Sequence, residues 1–152
     1  MIEVSGVVKD FKISKGLFRG KDILRAVDDV SLNIESGEVL AIVGESGCGK
    51  TTLARIILGL LPTDLGEVKF NGTALSDFKK LDLARLVQPI FQDPYSSLNP
   101  RKTIGEIIDL PLRVQGSRGG TDLKKLTLEN MDLVGLHSRM YDQYPNQLSG
   151  GQ

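Results

Sequence analysis

The sequence has no tryptophan, a single histidine and a single cysteine, and its nineteen basic residues are cancelled by nineteen acidic ones. Each shortage excludes something. One cysteine, Cys48, cannot form an intramolecular disulfide, so a cross-linked secreted scaffold is out and a reducing compartment fits. Zero net charge removes any bulk drive toward nucleic acid or anionic lipid, although a local anion site remains open. The longest apolar clusters, "VLAIV" and "IILGLL", fall far short of a membrane span. The opening "MIEVSGVVKDF" lacks the basic start and apolar core of a secretory signal. A cytoplasmic protein, able to dock on a membrane protein, is the expectation.

What is present is ordinary globular material. With 152 residues, 40% hydrophobic and 25% charged, the chain has room for about one domain with a real core. Ile2 to Val8 reads as a strand, followed by a polar, basic loop or insertion, "KISKGLFRGKDILR". Val30, Leu32 and Ile34 alternate with Ser31 and Asn33 as in a half-buried strand. "ESGE" turns the chain, and Val39 to Val43 has the continuous apolar character of a strand buried on both faces of a parallel sheet. "LARIILGLL" keeps helical spacing until Pro62. "EVKFNG" predicts a short strand entering an Asn-Gly turn, and "LVQPIFQ" another strand, with Pro89 as a complication.

From Asp93 the character changes. "DPYSSLNPR" is a turn-rich loop, and Thr103 with Glu106 forms a capping-box pattern at a helix start, with Pro111 limiting or kinking that helix. "SRGGT" is a flexible break. Leu123, Leu126, Met131 and Val134 predict a second amphipathic helix, closed by Gly135. His137 reads as a solvated helix-end histidine. Strands dominate the first ninety or so residues and helices the rest, and there is no internal repeat.

Between the apolar run and the first helix lies "GESGCGKTT". Gly44, four residues, Gly49, Lys50 and Thr51 match the P-loop pattern in its strand–loop–helix setting. Glycines let the backbone wrap closely around phosphate oxygens, and the helix start adds amides and a positive dipole end. The candidate nucleotide ligands are Gly44, Glu45, Ser46, Gly47, Cys48, Gly49, Lys50, Thr51 and Thr52. Lys50 would reach the β and γ phosphates of ATP, and Thr51 would set its hydroxyl on Mg²⁺. Cys48 is read as a small residue filling a tight loop, or as a thiol activated near a helix N-terminus.

The chain closes on "LSGGQ". A P-loop followed by this pentapeptide resembles the nucleotide-binding subunits of ABC transporters. "IFQDP" looks like that family's Q-loop, with Gln92 in the place of the glutamine that contacts Mg²⁺ and the attacking water. Phe11, in "VVKDF", resembles the aromatic that stacks on adenine; an ordinary core phenylalanine is the other reading. "FKISKGLFRGKDILRAVDDVSL" and "FQDPYSSLNPR" look like the oligopeptide and dipeptide importer ATPases. The resemblance implies an α/β fold: a P-loop NTPase core with N-terminal β-strands at 1–95, the start of a helical subdomain at 96–152, and the C-terminal part of the fold missing.

It also implies partners. Two such subunits bind head to tail around two ATP molecules, so Ser149, Gly150, Gly151 and Gln152 would face the nucleotide of a second ATP-binding subunit. Ser149 equally suits a helix N-cap turn, and both readings can hold together. Residues from Asp93 to Gln115 would meet an integral membrane permease at the cytoplasmic face of the membrane. No nucleic acid is expected.

The family continues past its signature with a Walker B aspartate, a catalytic glutamate and a switch histidine, none of which lies before Gln152. His137 precedes the signature and cannot stand in for the last. The expectation is therefore a fragment of a longer product, with Lys50 and Gln92 as its catalytic residues but little turnover by itself. Its Walker B strand would normally flank the P-loop strand, so an apolar edge is left exposed. The alternatives are a soluble ABC ATPase of translation or DNA repair, for which a basic face is usual, a P-loop kinase or GTPase, for which "LSGGQ" has no explanation, and a catalytically silent nucleotide-binding module.

Overall fold

The computed structural model describes residues 1–14, 21–114, 116 and 121–152, which form two compact units, Met1–Pro89 and Ile90–Gln152. The family resemblance implies a boundary at 95/96; in the structure Phe91, Gln92 and Asp93 go with the second unit.

The first unit is built on an antiparallel sheet in the order β2-β1-β3-β4. Its strands are β1 (Ile2–Ser14), β2 (Lys21–Ile34), β3 (Leu65–Phe70) and β4 (Thr73–Ala74). Asn71 and Gly72 both take positive φ, as the tight turn between β3 and β4 demands. The helix α1 (Lys50–Ile57) lays Leu53 and Ile56 on Val4, Val7, Val27, Val68 and Phe70, which together form the core.

Four sequence expectations fail between Met1 and Gln92. The described part of "KISKGLFRGKDILR" is not a loop: β1 runs on to Ser14 and β2 begins at Lys21, while residues 15–20 lie outside the described residues. A cross-strand ion pair replaces the missing apolar signal, since Asp10 opposes Arg25 and their side chains meet at 3.0 Å. Val39 to Val43 forms no strand, and Val39 is 94% exposed. A parallel strand needs a neighbour's ladder, and no strand pairs with this run among the described residues. "LVQPIFQ" is likewise no strand; its first residue ends the helix α2 (Lys80–Leu86), and Ile90 is fully exposed. Finally α1 stops at Ile57, short of Pro62. Gly59, at φ 67°, donates to Ile56 O at 2.9 Å and Leu60 to Arg55 O at 2.9 Å, a Schellman ending that only a residue tolerating left-handed φ closes cheaply.

The second unit holds α3 (Pro94–Ser97), α4 (Ile104–Val114) and α5 (Thr121–Leu133), followed by short 3₁₀ turns at Ser138–Met140 and Pro145–Gln147. The capping box is present: Thr103 N donates to Glu106 Oε2 at 2.9 Å and Glu106 N to Thr103 Oγ1 at 3.3 Å. Pro111 does not end α4, which continues to Val114; the missing N–H falls in the last turns, where one lost bond is tolerated. Gly135, at φ 72°, stops α5 as expected, with Leu136 N donating to Met131 O at 2.8 Å. The "SRGGT" break lies outside the described residues, apart from the Thr121 that opens α5. His137 is exposed and caps the 3₁₀ turn, its Nδ1 accepting from Arg139 N at 3.2 Å.

Ile104, Met131 and Met140 form this unit's core, with Leu128, Leu136, Tyr141 and Leu148 packed around it. The chain after α5 is laced to the start of α4, where Ile104 N donates to Gln143 O at 2.8 Å and Gly105 N to Tyr141 O at 2.9 Å. Buried Asp109 accepts from Thr127 Oγ1, from Arg113 Nη2 at 3.2 Å and from Tyr141 Oη at 3.4 Å, joining α4, α5 and the 3₁₀ segment. Among the described residues no helix is long and apolar enough to cross a membrane.

Candidate nucleotide site

The loop before α1 has the conformation its glycines permit. Gly47 and Gly49 take φ of 85° and 96°, in the left-handed range that L side chains avoid. Space enforces the same choice at Gly49, where a Cβ would lie 2.1 Å from the Ala26 carbonyl oxygen on β2. At Gly44 a Cβ would lie 2.8 Å from Cys48 Sγ. Cys48 is exposed within the loop.

Lys50 folds back over the loop. Its Nζ donates to Gly44 O at 2.8 Å and Glu45 O at 2.6 Å, with Cys48 Sγ at 3.4 Å. The ammonium is therefore held against the loop by the backbone itself. Gly49 is the N-cap, and Leu53 N is the amide that closes the first helical bond, onto Gly49 O at 2.9 Å. The amides of Lys50, Thr51 and Thr52 consequently have no intrahelical acceptor. No acidic residue stands in the first turn of α1 to cancel the positive dipole end. Close-approach glycines, a cation and amides without an intrahelical acceptor in one loop suit a polyphosphate.

Phe11 sits outside the core of the first unit and is 37% exposed, so it is not packed as a core phenylalanine. The register explains its place: it opposes Leu24, close along the ribbon from Val27, and Gly49 abuts Ala26 and Val27. Strand pairing thus sets Phe11 two residues along the ribbon from the strand position that Gly49 abuts, and its ring lies under Lys9 Nζ at 5.9 Å.

In the second unit Gln92 is exposed and directly precedes Asp93. Asp93 caps α3, its Oδ1 accepting from Tyr95 N at 3.1 Å and Ser96 N at 3.4 Å. Ser149 to Gln152 form a turn at the surface, with Gln152 N donating to Ser149 O at 3.0 Å and Ser149 N to Gln152 Oε1 at 2.9 Å. The second bond is the reach-back half of a capping box, so "SGGQ" carries a helix-start signal inside the pentapeptide.

The family model described as ABC transporter matches residues 27–152. This chain belongs to the ABC transporter family. Among curated ABC relatives, it is 40% identical over 156 residues to the dipeptide transport ATP-binding protein DppF of Escherichia coli (strain K12), covering 100% of this chain and 46% of that one. It is 43% identical over 159 residues to the oligopeptide transport ATP-binding protein OppF of Haemophilus influenzae, covering 100% and 48%. The chain thus spans about half the length of the curated relatives it matches. Among solved structures, the dimeric MJ0796, a bacterial ABC transporter cassette, superposes with a TM-score of 0.81 at 33% identity, covering 100% of this chain and 65% of that one. A post-hydrolysis state of the same cassette, bound to ADP and Pi, gives 0.80 at 32%, with the same coverage.

Two features of this ABC chain escape a reading of the sequence. The α3 turn has a local signal, Asp as N-cap followed by Pro at N1. The hydrogen bond from Tyr95 to Leu148, 53 residues apart, has none.

Proposed function

We propose that this chain is the ATP-binding part of a subunit that powers import of peptides or similar small solutes through a membrane permease. The observation that carries the reading is the loop at Gly44–Thr52, with the Lys50 ammonium held over it and three first-turn amides without an intrahelical acceptor. The identity to dipeptide and oligopeptide transport ATP-binding proteins supports the solute class.

In this reading Lys50 exchanges its backbone carbonyls for β- and γ-phosphate oxygens, and the amides of Lys50, Thr51 and Thr52 share the negative charge. The Thr51 hydroxyl would be a ligand of Mg²⁺, and Gln92 is the ligand that the family resemblance proposes from the second unit; the ion, when bound, would supply charge neutralisation to the phosphates. The Phe11 ring stacks on adenine. Ser149, Gly150, Gly151 and Gln152 meet the nucleotide held by a second ATP-binding subunit, and the segment from Asp93 onward meets the permease at the cytoplasmic face of the membrane. ATP binding brings two subunits together; hydrolysis lets them part. A polypeptide of these 152 residues offers phosphate-holding groups and no assigned general base, so its own turnover is expected near background, a positioned base being worth about 10² to 10⁴ in rate.

Fluorescent-ATP titration of the chain and of Lys50→Ala tests the reading. Saturable, Mg²⁺-dependent binding that Lys50→Ala weakens at least about tenfold is expected; equal binding by both would remove the role of the loop.

A further inference from the structure

The hydroxyl of Tyr95, on α3, donates to the carbonyl oxygen of Leu148 across 2.7 Å. The near end of this bond is fixed by the Asp93 cap, whose carbonyl oxygen also accepts from Ser96 Oγ at 3.2 Å and Ser97 Oγ at 2.8 Å. The far end belongs to a peptide group with two faces in use. Leu148 supplies its C=O to Tyr95, and Ser149 supplies its N–H to Gln152 Oε1 at 2.9 Å. A peptide group is planar, so holding the oxygen fixes the direction of the N–H. Bonding at the oxygen also polarises the group and strengthens the N–H as a donor. The half-exposed Tyr95 helps to line an apolar cleft of about 180 Å³, together with Leu98, Ile104, Leu148 and Ser149.

We propose that Tyr95 is a positioning residue for the Ser149–Gln152 turn: through the single peptide group between Leu148 and Ser149 it makes the orientation of that turn depend on the segment that follows Gln92. This rests on the reading above, in which the turn meets a second subunit's nucleotide and the segment after Gln92 meets the permease. Displacement of α3 then rotates the peptide group, loosens Gln152 from the Ser149 amide and changes which amide is offered to phosphate. Two surfaces of one subunit are joined by two hydrogen bonds and one rigid plane.

Tyr95→Phe removes the hydroxyl and keeps the ring in the cleft wall. Amide hydrogen exchange of the ¹⁵N-labelled chain, without nucleotide, should show Ser149 exchanging roughly three- to tenfold faster in this variant, the worth of one hydrogen bond. The amides of Ile104, Gly105 and Leu136 in the same unit should be unchanged. Unaltered exchange at Ser149, or equal acceleration throughout the unit, overturns the proposal. In a separate arm, MgATP-dependent self-association is measured by sedimentation for wild type, Tyr95→Phe and Ser149→Ala. Weakened association of Tyr95→Phe, approaching that of Ser149→Ala, extends the role to the dimer. If the wild-type chain does not associate, the nucleotide-sandwich reading fails, while the exchange result still decides what Tyr95 does.

Discussion

Gly49 and Ala26 are in contact through backbone alone: a Cβ at position 49 would stand 2.1 Å from the Ala26 carbonyl oxygen. The P-loop is thereby seated against β2, and the seat has no room for a side chain. Gly49→Ala meets both this clash and the left-handed φ of 96°. Gly47→Ala, at φ 85° with nothing within 4 Å of the new atom, meets only the backbone strain, about 1–2 kcal/mol. Thermal or denaturant unfolding should rank Gly49→Ala well below Gly47→Ala. Equal losses would mean that the loop is not held against β2.

The buried Asp109 is the second place where one substitution has several consequences. Asp109→Ala leaves Thr127 Oγ1, which is fully buried, and the Tyr141 hydroxyl without their acceptor, a cost of about 1–3 kcal/mol in each case where the group cannot reach water. Denaturant titration should show a loss of that order, while fluorescent-ATP binding, assigned to the first unit, should change less than twofold by comparison with a tenfold loss for one 1.4 kcal/mol contact. A variant as stable as wild type would show that α4 and α5 are held by packing alone.

Two ends of the pH range report on different units. Asp64 accepts from Asp10 N at 2.7 Å and from Lys9 Nζ at 3.1 Å, and these bonds, the backbone one foremost, lower its pKa. The stability it contributes is fully present above the unfolded carboxylate value of about 3.9 and is lost as pH falls through the lower folded value. The Tyr141 phenol is shifted the other way, raised first by desolvation and then by the Asp109 carboxylate. Its contribution is present below about pH 10, the unfolded value, and is lost as pH rises beyond it. Asp64→Asn should flatten the acid limb and Tyr141→Phe the alkaline limb; a variant that leaves its own limb unchanged would remove that group from the account of pH stability.

Cys48 offers a label at the site itself. It is exposed, with Lys50 Nζ 3.4 Å from its sulfur. MgATP in the loop should slow its alkylation, and the protection should vanish in Lys50→Ala. Identical labelling with and without nucleotide would separate the loop from the nucleotide.

The sequence carried local chemistry well and partnership poorly. The glycine spacing around Lys50, the Thr103–Glu106 box, the Asn71-Gly72 turn and the Gly135 stop are each decided within a few residues, and each stands in the structure. Val39–Val43 and "LVQPIFQ" read as strands because their side chains are apolar, but a strand exists only where another backbone completes its ladder. The long β1–β2 ribbon is illegible along the chain for the converse reason: Asp10 and Arg25 pair across the strands while looking like loop residues in sequence. Phe11 has no local signal that separates a stacking ring from a core residue; the structure leaves it partly exposed and outside the core. The link between Tyr95 and Leu148 is tertiary, and no spacing announces it.

The most direct measurement of the central claim is calorimetric titration of the wild-type chain and Lys50→Ala with MgATP. Binding at one site per chain, lost by at least about tenfold on removing the ammonium, is the result expected of a loop that holds polyphosphate under Lys50. Absence of binding by a folded wild-type chain, or affinity indifferent to Lys50, would contradict it.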